Sequence, residues 1–129
     1  MNSLPIGSIV KLKNFDLLVM VTGKLPLVKV KSNYEYYDFR GQIYPIGDIG
    51  QKETYCFNIE DVDKIVYKGY ISEENVVFDE FLQSYIELYN LKKAKIDYHE
   101  LQDGGVYSLD RAAKKDTNSN KSSISKLFN

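Results

Sequence analysis

A chain of 129 residues, 43% of them hydrophobic, has the material for one domain with a real core plus an appendage. Its formal net charge of −1 argues against a dedicated nucleic-acid binder, which carries a clear basic excess. The single cysteine, Cys56, excludes an internal disulfide and any multi-cysteine metal site.

The amino terminus shows no cationic segment leading into an apolar run, and no uncharged stretch approaches the ~20 apolar residues that span a bilayer. A soluble, cytoplasmic protein is expected. Leu4-Pro5-Ile6-Gly7 is a lead-in with turn chemistry, and residues 8–13 and 17–31 then read as strands joined by Lys13-Asn14-Phe15-Asp16. They form the founding hairpin of a small sheet. Gly23-Lys24-Leu25-Pro26 interrupts the second strand with a bulge or a break. Leu27 to Lys31 alternates as an edge segment, its lysines a common guard against edge-to-edge pairing.

After a turn at Ser32-Asn33, Tyr34 to Tyr44 reads as one strand. Tyr34, Tyr36 and Asp38 would share one side, Glu35, Tyr37 and Phe39 the other, with a bulge at Gly41. Aromatics on both sides mean a strand covered twice or one that offers a face to a partner. Pro45-Ile46-Gly47 echoes Pro5-Ile6-Gly7, each beside a strand where Pro and Gly direct a turn. Tyr55-Cys56-Phe57 is a short strand, Asn58 caps a single helical turn containing Glu60 and Asp61, and residues 64–70 return to strand.

From Ser72 the period changes. An amphipathic helix is expected over about 73–95, reaching His99 in its longest form, with Ser72 as cap, acids at its start and Lys92, Lys93 and Lys95 at its end. Val77, Phe81, Tyr85 and Leu88, beside Phe78, Leu82 and Tyr89, make a wide apolar stripe. Such a stripe covers a sheet or, alternatively, faces a partner. Residues 102–129 have the composition of a flexible polar tail, ending in the short apolar stretch Ile124 to Asn129. The fold expected is therefore α+β: one domain over 1–101, with a strongly bent antiparallel sheet of about five strands over 4–71, an SH3-like barrel being one form of it. One long C-terminal helix packs on that sheet.

No catalytic residue, metal ligand or cofactor site stands out. His99, beside Asp97 and Glu100, lacks a positioned nucleophile or a second orienting group. Cys56 between two aromatics reads as a buried structural thiol rather than a reactive one. Glu60, Asp61 and Asp63 lack the spacing of a calcium loop, and Gly47 and Gly50 lack the lysine of a phosphate loop. Lys11, Lys13, Lys29 and Lys31 with Tyr34, Tyr36 and Tyr37 could build a basic, aromatic face for single strands, but Glu35, Asp38 and Asp16 dilute its field. A protein-binding surface needs no charge excess, and the aromatic density places it on Tyr34, Tyr36, Tyr37, Phe39 and Tyr44.

The opening LPIGSIVKLK, the apolar LLVMVTGK, the segment YEYYDFRGQIYPIGDIG and the closing FNIEDVDKIVYKGY before an acidic EEN and a helix together resemble a family of small Gram-positive bacterial proteins. That family was first catalogued as a domain of unknown function and is encoded near type VIIb secretion and LXG-toxin genes. The match covers about residues 4–90 and includes Leu4, Pro5, Gly7, Tyr37, Asp38, Pro45, Asp61 and Gly69. The resemblance implies a cytosolic, chaperone-like accessory that binds one LXG-type toxin and presents it for export, with no catalysis and no cofactor; the charge balance and hydropathy above add the expectation of no nucleic acid and no membrane insertion. An immunity protein that neutralises the toxin and a small-barrel nucleic-acid-binding module are the alternatives.

Overall fold

The computed structural model describes residues 3–48, 54–96 and 107–108. The first hairpin forms as expected: β1 (Ile9–Leu12) pairs antiparallel with β2 (Leu18–Lys24), Val10 opposite Val19. Period-two alternation turns Val10, Leu12, Val19 and Val21 inward, where all four are buried. Leu25 then takes a left-handed backbone, φ 55°, and the chain leaves this sheet. β3 (Leu27–Val30) and β4 (Asn33–Tyr36) make a second hairpin around Lys31-Ser32, in a separate sheet.

The single long strand expected over 34–44 is two strands. β4 ends at Tyr36, and β5 (Phe39–Ile43) rejoins the first sheet beside β2. The chain crosses between sheets at Tyr37-Asp38, which lets both Tyr37 and Phe39 enter the core. The register irregularity lies on β2 between Val21 and Gly23, across from Gly41 rather than at it. β6 (Tyr55–Phe57) follows on β5, a 3₁₀ turn spans Ile59–Asp61, and β7 (Val62–Tyr67) returns to pair with the outer side of β1. The turn glycines of the echoed Pro-Ile-Gly motifs both sit at positive φ, 90° at Gly7 and 69° at Gly47.

Helix α1 (Glu73–Tyr89) starts at the expected cap, with Ser72 Oγ accepting from the Asn75 N–H at 3.1 Å. It stops six residues short of Lys95. Asn90 adopts the left-handed conformation, and the Leu91 N–H reaches the Ile86 carbonyl at 3.0 Å, a Schellman-type stop with Asn in place of Gly. Lys92 and Lys93 therefore form β8 (Lys92–Lys93), parallel to β4, instead of a last helical turn. β9 (Tyr107–Ser108) pairs with β6 inside the stretch expected as tail. The rest of that tail, with Ile124 to Asn129, and His99 lie outside the described residues.

The architecture is thus α+β. The main sheet runs β7-β1-β2-β5-β6-β9 and the smaller one β3-β4-β8. The main sheet does not close into a barrel, because β7 and β9 stand at opposite edges and do not pair. The core draws on both sheets: Val28, Tyr37, Phe39, Cys56 and Phe57 join the β1–β2 valines, with Ala94 and Ile96 beside them.

At the β7 end the lead-in passes close to Gly69. A Cβ there would lie 2.5 Å from the Ile6 carbonyl oxygen and 3.1 Å from the Ser8 nitrogen. The Gly69 N–H also donates to the buried Ser8 Oγ at 2.9 Å. Gly69→Ala must push backbone apart, and a stability loss of about 1–3 kcal/mol is expected, read as a lowered urea midpoint.

Candidate functional site

Helix α1 carries its apolar stripe on the wrong side for a core helix. The residues turned toward the protein body are Asn75, Asp79, Leu82, Gln83 and Ile86, and Leu82 alone in the helix is fully buried. Val76, Val77, Phe78, Phe81, Leu88 and Tyr89 are exposed, Phe81 by 57% and Leu88 by 76%. Of the stripe expected to cover the sheet, Leu82 alone packs inward; Tyr85 is half-buried, and Val77, Phe78, Phe81, Leu88 and Tyr89 face outward.

The physical reason is a polar anchor. Lys24, at the end of β2, has a side chain only 1% exposed. Its Nζ lies 2.6 Å from Asp79 Oδ1 and donates to Asn75 Oδ1 at 3.0 Å, while Ser3 Oγ donates to Asp79 Oδ1 at 3.2 Å. A buried ammonium needs a carboxylate, so the helix turns Asp79 and Asn75 inward to supply one. With that face fixed, 100° per residue places Phe78, Phe81 and Tyr85 outside it. Their rings form a ladder along the helix: Phe78–Phe81 centroids are 6.3 Å apart, Phe81–Tyr85 6.4 Å and Tyr85–Tyr89 4.7 Å.

The ladder ends in an open cleft of about 960 Å³ between the helix C-terminus and the β3–β4 hairpin. Tyr34, Tyr85, Tyr89, Leu27, Leu91 and Lys92 line it. A second cavity of about 230 Å³ lies beneath the helix, lined by Tyr36, Asp38, Glu60, Gln83, Ile86 and Lys93.

The five aromatics expected as one partner surface are dispersed. Tyr34 is exposed and lines the large cleft. Tyr36 is half-buried over the small cavity, where burial first, and then the charge of Asp38, raises its phenol. Tyr37, 1% exposed, and Phe39 are sealed in the core and present no surface. Tyr44 is exposed at the end of β5, in the other sheet, and lines neither cavity. Sequence reasoning missed the polar residues that decide this arrangement. Lys24 lay in the bulge or break read at Gly23 to Pro26, and its partner Asp79 is 55 positions away.

The small cavity is a structural hub. The Asp38 N–H donates to Asn58 Oδ1 at 3.0 Å, and Asp38 Oδ2 accepts from the Ile59 N–H at 2.9 Å. Asn58 Nδ2 reaches the Ala94 carbonyl at 2.7 Å, and Asp61 Oδ2 accepts from the Asn58 N–H at 2.8 Å. Lys93 Nζ bridges Asp38 at 2.8 Å and Glu60 at 2.6 Å. Burial works against both Lys93 and Glu60 charges, yet the mutual hydrogen bonds prevail: Lys93 is raised and Glu60 lowered from their ordinary values. The Glu60 contribution is therefore present above about pH 4.5 and lost as pH falls through its lowered value. The Lys93 contribution is complete below about pH 10.5 and is lost above it. Glu60 is 64% exposed, so solvent screens the pair and Glu60→Gln should cost only about 0.2–1 kcal/mol at neutral pH. Its thermal midpoint should merge with the wild-type value in acid and stay below it, by a constant gap, from neutrality to mildly alkaline pH.

Chemically, the outer face of α1 can bind apolar and aromatic groups. Cys56 is wholly buried and burial pushes its thiol up to about 12, so it is no nucleophile at neutral pH. Among the described residues no group of three or more His, Cys, Asp or Glu converges on a point that could hold a metal ion. Among them, too, no helix is long and apolar enough to cross a membrane.

One family's sequence profile, described as Domain of unknown function (DUF4176), matches residues 3–78. That span takes in β1 to β7 and the first turns of α1 and stops at the first ring of the ladder. Neither a curated protein nor a solved structure matches the chain significantly.

Proposed function

We propose that this chain, which belongs to the DUF4176 family, is a non-catalytic accessory protein that binds an LXG-type toxin and acts as its chaperone and targeting factor for type VIIb secretion. The observation that carries a protein-binding role is the outward apolar face of α1, with four rings in sequence and no element of the described fold covering it. A monomer rarely leaves so continuous an apolar strip to water unless a partner covers it. The toxin and the secretion system come from the sequence resemblance. The family description itself states no function. A chaperone of this kind works in the cytoplasm, holding the toxin soluble until export.

The test is a pull-down from the native host with this protein as bait, paired with deletion of its gene. Stoichiometric recovery of one LXG-type toxin, and a fall in toxin level or export on deletion, are the expected results. Recovery of the toxin with rescue of growth but unchanged export would make the protein an immunity factor. Recovery of nucleic acid, or of no toxin, would overturn the proposal.

A further inference from the structure

The sequence holds one apolar motif that the described fold does not absorb. Between Asp110 and Asn129 the large apolar residues are Ile124, Leu127 and Phe128, three within five positions. Everything before them in that stretch is polar or alanine. The described fold, in turn, holds one apolar face without a cover. Val77, Phe81, Ser84 and Leu88 are spaced four, three and four apart, so they share one line along α1, roughly half a turn from the inward Leu82 and Ile86. The three large side chains are 65%, 57% and 76% exposed, and Ser84 is exposed between them. A serine between Phe81 and Leu88 lowers the line at that point and leaves a notch.

Reach decides which apolar group meets that line first. β9 fixes the chain at Ser108 beside β6. Ile124 is 16 residues further on, and at ~3.3 Å per residue that stretch spans up to about 53 Å. A domain of about 100 residues has a radius of gyration near 13 Å, so every point of its surface lies within that reach. The tether therefore presents Ile124, Leu127 and Phe128 to α1 at an effective concentration on the order of millimolar. A second copy of the chain has to exceed that concentration to compete. Net charge works in the same direction and sets no register. Residues 109–129 hold five basic and two acidic residues, whereas α1 exposes Glu73, Glu74, Glu80 and Glu87 and has no base between Glu73 and Tyr89.

We propose that in the free protein Ile124, Leu127 and Phe128 cover the outer line of α1, an autoinhibitory contact that a partner of this face has to displace. The proposal goes beyond the chaperone reading, because it states what lies on the face before a partner arrives.

The test uses the full chain. Cys56 is wholly buried and its thiol is pushed up to about 12, so a cysteine placed on the surface takes a spin label selectively. With the label on Glu80→Cys, the amide signals of residues 122–128 should lose intensity. With the label on Asp16→Cys, at the far end of β2 from Lys24, they should stay largely unchanged. Phe81→Ser with Leu88→Ser should restore the signals under the Glu80→Cys label and keep the urea midpoint, because both side chains are exposed. The second measurement is binding of the neutral apolar dye Nile red. With the contact closed in about nine molecules of ten, removing residues 121–129 raises dye affinity about tenfold. Leu127→Ser with Phe128→Ser in the full chain should do the same.

Equal signals of residues 122–128 under the two labels, or unchanged dye affinity in the shortened chain, would overturn the proposal. Full signal loss in the Phe81/Leu88 variant would overturn it too, by placing the segment elsewhere. So would equal signal loss when the spin label and the isotope enrichment are on different molecules, since the contact would then join two copies. The functional reading fails separately. A contact that forms as expected in a protein that captures no toxin leaves the cover and removes the chaperone. A toxin captured by a chain that shows no such contact removes the cover and leaves the chaperone.

Discussion

Tyr37→Ala is expected to remove about 3–5 kcal/mol of stability, while Tyr34→Ala, three residues away, stays within about ±0.5 kcal/mol. Tyr37 is 1% exposed, inside the cluster formed by Phe39, Phe57, Val28 and the β1–β2 valines. Its N–H is held by the Pro26 carbonyl at 3.1 Å, which closes the passage between the two sheets. Truncating a buried aromatic loses its transfer energy and leaves a cavity that rigid neighbours fill only in part. Domains of this size are stable by only about 5–15 kcal/mol, so this one change consumes a large share of the total. Phe39→Ala should behave alike, because Phe39 packs on Phe57 with centroids 5.5 Å apart. Urea titrations of the three variants check this. A mild effect at Tyr37 would mean that the crossing between sheets is wrongly placed.

Lys24→Met should be nearly as damaging, at about 3–5 kcal/mol, and Lys24→Met combined with Asp79→Leu should recover most of the loss. The single change strands the Asp79 carboxylate and the Asn75 amide against the sheet without the ammonium that both accept from. The double change removes both charges and leaves apolar groups of similar length in contact. Buried ion pairs behave this way because each partner's desolvation is offset only by the other. A double-mutant cycle in urea provides the measurement, and limited proteolysis of the single variant should cut first within α1. Additive losses in the double variant would mean that the pair does not hold the helix.

Much of the fold was legible because it is local. The β1–β2 hairpin follows from alternation, the break at Gly23–Pro26 from turn residues, and the helix start from Ser72 with its acids. What stayed hidden depends on partners distant in sequence. The division of residues 34–44 into two strands is enforced by Asp38, whose partners are Asn58, Ile59 and Lys93. Nothing in the alternating pattern of Tyr34 to Phe39 marks that crossing, so Tyr37 and Phe39 pass for surface residues. The helix periodicity was legible; which of the two alternatives its stripe would take, sheet or outer side, was not. Apolar residues predict the inner face only when no buried charge competes for it, and Lys24 competes. The helix end was set by Asn90 in a left-handed backbone, a signal weaker than glycine.

The helix is pinned at both ends and bare between them. Lys24 holds its start, and its far end is held by β8 on β4, with the Ala94 N–H donating to the Tyr36 carbonyl at 2.7 Å. The rings between those pins contribute almost nothing to the core, so substitutions there should be nearly silent in folding and, under the proposed binding role, felt in recognition. Three of the four rings also lie past residue 78, outside the span that the family profile matches. Under the proposed binding role, rewriting that one exposed strip would change the partner and leave the hydrophobic interior untouched.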